Sequence, residues 1–175
     1  FLFIGLWVTI SSISPAQQLT FQKTYGGTGI DQGHSIRTTF DGGYIITGYT
    51  QSYGAGGVFD DVYLIKIDSK GDTLWTKTYG GTVYSDGYSV EQTSDSGYVI
   101  VGSTSSFGNG AFDVYLIRTD QNGDTLWTKT YGGTNNDDGY SVQQTTEGGF
   151  IIAGATVSFG SGNHDVYLIK TDING

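Results

Sequence analysis

Internal repetition constrains this chain more than any other feature. Tyr-Gly-Gly-Thr occurs at Tyr25, Tyr79 and Tyr131, and Asp-Val-Tyr-Leu-Ile at Asp61, Asp113 and Asp165. A longer run, Gly-Asp-Thr-Leu-Trp-Thr-Lys-Thr-Tyr-Gly-Gly-Thr, starts at Gly71 and again at Gly123. A period of roughly 50 residues marks a propeller, a solenoid or another repeat array, because one such unit cannot bury its apolar face alone. The units run over 26–79, 80–131 and 132–175, and 19–25 precedes them as a leading segment.

Each unit reads as four short β segments, a to d. In the second unit they are Tyr88–Thr93, Tyr98–Thr104, Asp113–Asp120 and Thr125–Tyr131. Segments a and b are joined by Ser94-Asp-Ser-Gly97, and c and d by Gln121-Asn-Gly-Asp124. Short turns rich in Asn, Asp and Gly join hairpins, because these residues tolerate positive φ. Segments b and c are apolar at consecutive positions, as in Val62-Tyr-Leu-Ile65, which predicts burial on both faces. A four-stranded antiparallel sheet buried on both faces and repeated along the chain describes a β-propeller blade. The expected fold is therefore all-β, with three four-stranded blades of about 52–54 residues. The register runs d, abcd, abcd, abc, so the leading d-type segment predicts part of a larger ring of typically four to eight blades. The alternative is a β-trefoil, which also repeats threefold.

Composition agrees. The chain has 29 Gly among 175 residues, and its acids are Asp except for Glu91 and Glu147. Asp suits turns and Glu suits helices. With no Cys, disulfide scaffolds, Cys zinc sites and thiol nucleophiles are excluded. The net charge of −9 argues against nucleic acid or an anionic membrane as partner.

Residues 1–16 read as a secretory signal without its basic start: an apolar run from Phe1 to Ile10, then small residues at Ser14 and Ala16. The run is shorter than the roughly 20 residues of a membrane span, so no membrane insertion of the mature chain 17–175 is expected. Export to the cell surface or medium is the expected localisation.

The motifs resemble known propeller repeats. Gly123-Asp-Thr-Leu-Trp127 resembles the tryptophan-docking element of quinoprotein-like propellers. The whole unit, with Tyr-Gly-Gly-Thr, Asp41-Gly-Gly-Tyr-Ile-Ile-Thr-Gly48 and Asp-Val-Tyr-Leu-Ile-Lys, is similar to the secreted (SBBP-like) seven-bladed repeats of Bacteroidetes-type exported proteins. The resemblance covers 19–175. It implies a surface or secreted multi-blade module, often followed by a type IX secretion sorting domain. Quinone-binding residues are not recognisable, and no cofactor is expected.

Catalytic constellations are sparse. His34 is replaced by Tyr88 and Tyr140 in the other units, and His164 by Phe112, which reads as packing. Paired acids such as Asp60–Asp61 and Asp137–Asp138 read as turn residues, so no catalytic residue is assigned. Structural calcium stays open: Asn135-Asn-Asp-Asp138 offers oxygen ligands but lacks EF-hand spacing. Six recurring aromatic positions, represented by Trp75, Tyr79, Tyr88, Tyr98, Phe107 and Tyr115, are expected to fill the inter-blade core.

Variation between units clusters at one predicted end of the sheets. The d–a loops read Gly29-Ile30-Asp31, Val83-Tyr84-Ser85 and Asn135-Asn136-Asp137. The b–c loops differ too, with Asn109, Ala111 and Phe112 in the second unit and Asn163 and His164 in the third. Loops on a rigid scaffold carry recognition, so these residues are the candidate binding face. The expected function is a non-enzymatic exported scaffold that recognises a protein or glycan. The alternative is an accessory region of a secreted polysaccharide-degrading enzyme.

Overall fold

The computed structural model describes residues 20–55 and 57–175. The expected signal segment 1–16 lies outside them.

The described residues form an all-β repeat. Unit 1 contributes β1 (Asp31–Thr38), β2 (Tyr44–Thr50), β3 (Asp61–Ile67) and β4 (Thr73–Tyr79). Unit 2 contributes β5 (Ser85–Gln92), β6 (Tyr98–Thr104), β7 (Asp113–Thr119) and β8 (Thr125–Tyr131). Unit 3 contributes β9 (Asp137–Gln144), β10 (Phe150–Thr156) and β11 (Asp165–Thr171). Each unit makes its own sheet of sequential antiparallel strands, β1-β2-β3-β4, β5-β6-β7-β8 and β9-β10-β11. This propeller-like arrangement of separate sheets differs from a β-trefoil, in which all units would share one barrel.

The turns form for local reasons. Asp68 Oδ1 accepts from the N–H groups of Lys70 and Asp72, and Asp120 Oδ1 does the same for Asn122 and Asp124. These Asx turns close the c–d hairpins. In the a–b hairpins the tight turn needs positive φ, supplied by Gly42, Gly148 and the non-glycine Ser96 at φ 70°.

The first strand of each unit starts earlier than the sequence suggests. Asp31, Ser85 and Asp137 open strands instead of sitting in loops. A register shift falls between Gly33 and Ser35 and between Gly87 and Ser89, leaving His34 and Tyr88 as bulge residues. The bulge follows a glycine in each case, Gly33 and Gly87.

The sheets stack face on face. Ile45, Val62 and Leu64 of unit 1 pack with Val90, Tyr98 and Ile100 of unit 2. Val99, Val101, Val114 and Leu116 of unit 2 pack with Val142, Phe150 and Ile152 of unit 3. Central strands β6 and β7 are therefore buried along their whole length.

A second contact locks each d position onto the next unit. Trp75 lies where any side chain on Gly123 would strike its ring, at 2.8 Å. Tyr79 donates its hydroxyl to the Gly123 carbonyl at 2.7 Å, and Lys77 pairs with Asp124 at 2.7 Å. The leading segment repeats the pattern. Phe21 lies 3.0 Å from a Cβ at Gly71, Tyr25 donates to the Gly71 carbonyl at 2.8 Å, and Lys23 pairs with Asp72. Residues 20–25 are nevertheless not a strand. They have no c strand beside them, so they dock by side chains alone.

Candidate functional site

The d–a and b–c loops come together at one end of the stacked sheets. Backbone hydrogen bonds join them within each unit: Gln51 N–H to Ile30 O, Ser105 N–H to Tyr84 O, and Val157 N–H to Asn136 O, at 2.8–2.9 Å. Others join them between units: Ser85 N–H to Asp60 O and Asp137 N–H to Phe112 O, both 2.7 Å. These loops thus rest on a fixed backbone frame.

The Tyr-Gly-Gly-Thr motif builds that frame. A Cβ on Gly27, Gly81 or Gly133 would strike Ser52, Ser106 or Ser158 at 2.6–2.8 Å. Those serines fasten the loops: Ser52 Oγ accepts from Gly29 N–H, Ser106 Oγ from Val83 N–H, and Ser158 Oγ from Asn135 N–H, at 2.9–3.0 Å.

The candidate residues divide into two groups. Ser85 and Asp137 are fully buried and turned inward. Asp137 accepts from Ser158 Oγ at 2.6 Å, from Gly133 N–H at 2.8 Å and from Thr156. Burial alone would raise its pKa, but these hydrogen bonds outweigh burial and hold it below the usual range. Asp31 makes the matching bonds to Ser52, Thr50 and Gly27, with the same net lowering. Ser85 shares a 2.8 Å bond with Thr104. The side chains of these three residues are hydrogen-bonded within the scaffold.

The remaining candidates lie at the surface or half-buried. Gly29, Ile30, Tyr84, Asn109, Ala111, Asn135, Asn136, Asn163 and His164 are exposed, and Val83 and Phe112 are half-buried. Ala111, Asn135 and Asn136 line a cleft of about 200 Å³ between units 2 and 3, closed by Thr134 and Val157. Between units 1 and 2, Tyr84 meets Phe59 edge-on at 4.9 Å and Phe112 at 6.4 Å. Two b–c loops and one d–a loop thus build one aromatic cluster. Phe59 lies in the variable first b–c loop, Ala55–Asp60, but unit 2 has Ala111 at its position, so no repeat pattern singles out its ring.

Below this cluster runs a column made by the bulge residues. His34 stacks on Tyr88 at 5.4 Å, and Tyr88 meets Tyr140 at 5.8 Å. His34 Nδ1 lies 3.0 Å from the Gly87 carbonyl. Tyr88 and Tyr140 donate weakly to Asp86 and Asp138. Burial, reinforced by the charge of Asp60, pushes the Asp86 carboxyl up to about 6. The expected aromatic core is thereby corrected: this column and the half-exposed Tyr53, Phe107 and Phe159 stand outside it. Those three rings instead lean on Tyr63, Tyr115 and Tyr167 at 5.6–5.7 Å.

The opposite end holds a cleft the sequence did not signal. It measures about 290 Å³ and lies between units 1 and 2, with Phe40, Leu74, Trp75 and Gln121 in its walls. Several of its polar members are committed internally. Gln92 accepts from Phe40 N–H at 2.8 Å, and Lys66 pairs with Asp41 at 2.9 Å. Among the described residues no group of three or more His, Cys, Asp or Glu is placed to hold a metal. Among the described residues no helix is long and apolar enough to cross a membrane.

No family model matches this chain. The regulatory protein FlaEY of Caulobacter vibrioides is 30% identical over 138 residues, covering 66% of this chain and 14% of that protein. The chain therefore spans a small part of the curated relative it matches.

Proposed function

We propose that this chain is a non-enzymatic, exported or cell-surface propeller scaffold whose loop end recognises a glycan or protein. The observation that carries this reading is the Phe59–Tyr84–Phe112 cluster. Its rings sit in the loops that vary between units, on a frame that repeats. Aromatic faces at a surface stack on sugar rings or anchor protein contacts. The neighbouring cleft adds Asn135 and Asn136, whose amides both donate and accept. The test is an immobilised-glycan array with Tyr84→Ala and Phe59→Ala. Binding that these variants abolish supports the reading, and binding that they leave intact contradicts it.

A further inference from the structure

We propose that the turn-end cleft between units 1 and 2 docks a proline-rich segment of a partner protein in the polyproline II conformation. This site is separate from the loop end and shares no residue with it. Units 1 and 2 both wall the cleft of about 290 Å³, unit 1 with Phe40 and Leu74 and unit 2 with Gln121 and Asn122. Its apolar surface is open: Phe40 and Leu74 are 71% and 56% exposed, and Trp75 meets Tyr98 edge-on at 5.8 Å. Tyr98 is only 2% exposed, yet it lines the cleft. Tyr25 and Tyr79 donate their hydroxyls to carbonyls of the chain, whereas among the described residues no hydrogen bond holds the hydroxyl of Tyr98. Burial, then the charge of Asp41, pushes this hydroxyl up to about 12, so it stays a donor at neutral pH. A donor this deep is satisfied by an acceptor that enters the cleft.

The other cleft groups define the occupant. Lys66 and Asp41 neutralise each other at 2.9 Å, so the matching segment is uncharged. Gln92 uses both ends of its amide internally, accepting from Phe40 N–H and donating to the Ser96 carbonyl. What the cleft offers a ligand is rich in donors: the Tyr98 hydroxyl, the Trp75 indole N–H and the Gln121 amide. The occupant should bring acceptors and apolar faces, with no backbone N–H to leave unpaired. Proline in polyproline II has a free carbonyl at each residue, an apolar ring and no N–H. Aromatic-lined grooves dock such segments because their conformation is already formed.

The repeat contains its own comparison. At the junction of units 2 and 3, the positions of Phe40, Ser96, Tyr98 and Gln121 carry Ser94, Gly148, Phe150 and Ile173. Leu74, Trp75 and Gln92 recur there as Leu126, Trp127 and Gln144. The packing residues are thus shared, while the open ring and the unpaired hydroxyl belong to one junction. Phe150 is 0% exposed at the Tyr98 position, so the fold accommodates Phe there. The variant Phe40→Ser/Tyr98→Phe/Gln121→Ile places on units 1 and 2 only residues that the repeat already uses.

The probe is decaproline, acetylated and amidated so that it carries no charge. It is titrated by calorimetry into the 175-residue chain, with a Gly-Ser peptide of equal length as comparison. The expected result is saturable binding of decaproline alone, weakened about tenfold or more in the triple variant and about fivefold in Tyr98→Phe. Phe59→Ala at the loop end should bind as the native chain does. Circular dichroism checks that each variant is folded; if the triple variant is not, Tyr98→Phe and Phe40→Ala carry the same test singly. No saturable binding by the native chain overturns the proposal. So does equal binding of the Gly-Ser peptide, or decaproline binding that the cleft variants leave intact.

Discussion

The buried hydroxyl of Tyr79 donates to the carbonyl of Gly123, 2.7 Å away in the next unit. Tyr25 makes the same bond to Gly71, but the equivalent Tyr131 hydroxyl is buried with no hydrogen-bond partner among the described residues. The same residue thus works differently at successive junctions. Tyr79→Phe should cost about 1–2 kcal/mol, since it strands a buried carbonyl. Tyr131→Phe should be neutral or slightly stabilising. Urea unfolding of both variants checks the contrast.

Gly123 has φ 77° and Trp75 against it, whereas Gly42 has φ 80° with open space around it. Gly42→Ala therefore reports backbone strain alone, about 1 kcal/mol. Gly123→Ala adds overpacking of Trp75, for a total of about 2–4 kcal/mol. A thermal melt of each variant should place Gly123→Ala clearly lower.

Two cationic side chains are buried under the a–b turns. Lys66 and Arg118 have 5% and 6% of their side chains exposed, and they meet Asp41 and Asp95 at 2.9 and 2.6 Å. In unit 3 the pair Lys170–Glu147 is open to solvent and 3.9 Å apart. Removing the acid from a buried cation is costly, whereas an exposed pair contributes little. Asp95→Ala should lose about 2–3 kcal/mol in denaturant unfolding, and Glu147→Ala less than about 0.5 kcal/mol.

Acid should act in two directions. Asp86 titrates near 6 in the folded chain, raised by burial and Asp60, while an unfolded Asp titrates near about 4. The folded state binds the proton more tightly, so this group adds stability as pH falls from about 6 to about 4. Asp41 behaves oppositely. Its hydrogen bond from Thr39, then that from Lys66, holds it at about 2, so its contribution is lost as pH falls from about 4 toward 2. Asp86→Asn should flatten the rise between pH 6 and 4 and leave the acid loss in place. Melting temperature against pH measures both arms.

Much of this fold was legible in the sequence because its turns are chemically explicit. Asp68 and Asp120 announce Asx turns, and unbroken runs such as Val114-Tyr-Leu-Ile117 announce strands buried on both faces. The strand starts at Asp31, Ser85 and Asp137 were not legible. There a bulge at His34, Tyr88 and Tyr140 interrupts the period-2 pattern, and pairing with β2, β6 and β10 continues past it. The variable loops were legible from the differences between units, but the aromatic cluster among them was not. Phe59 and Tyr84 are brought together only by the packing of unit 1 on unit 2. Phe40 in the turn-end cleft was missed for a related reason: Ser94 and Thr146 hold its position elsewhere, so no repeat pattern marked it.

Glycan-array binding by the native chain, by a Phe59→Ala/Tyr84→Ala double variant and by Phe40→Ala tests the loop-end assignment most directly. Every one of these side chains lies at least partly at the surface, so all three proteins should melt within a few degrees of one another. The expected result is binding by the native chain and Phe40→Ala, with loss of at least tenfold in affinity for the double variant. Binding that survives in the double variant and disappears in Phe40→Ala would move the recognition site to the opposite end of the sheets.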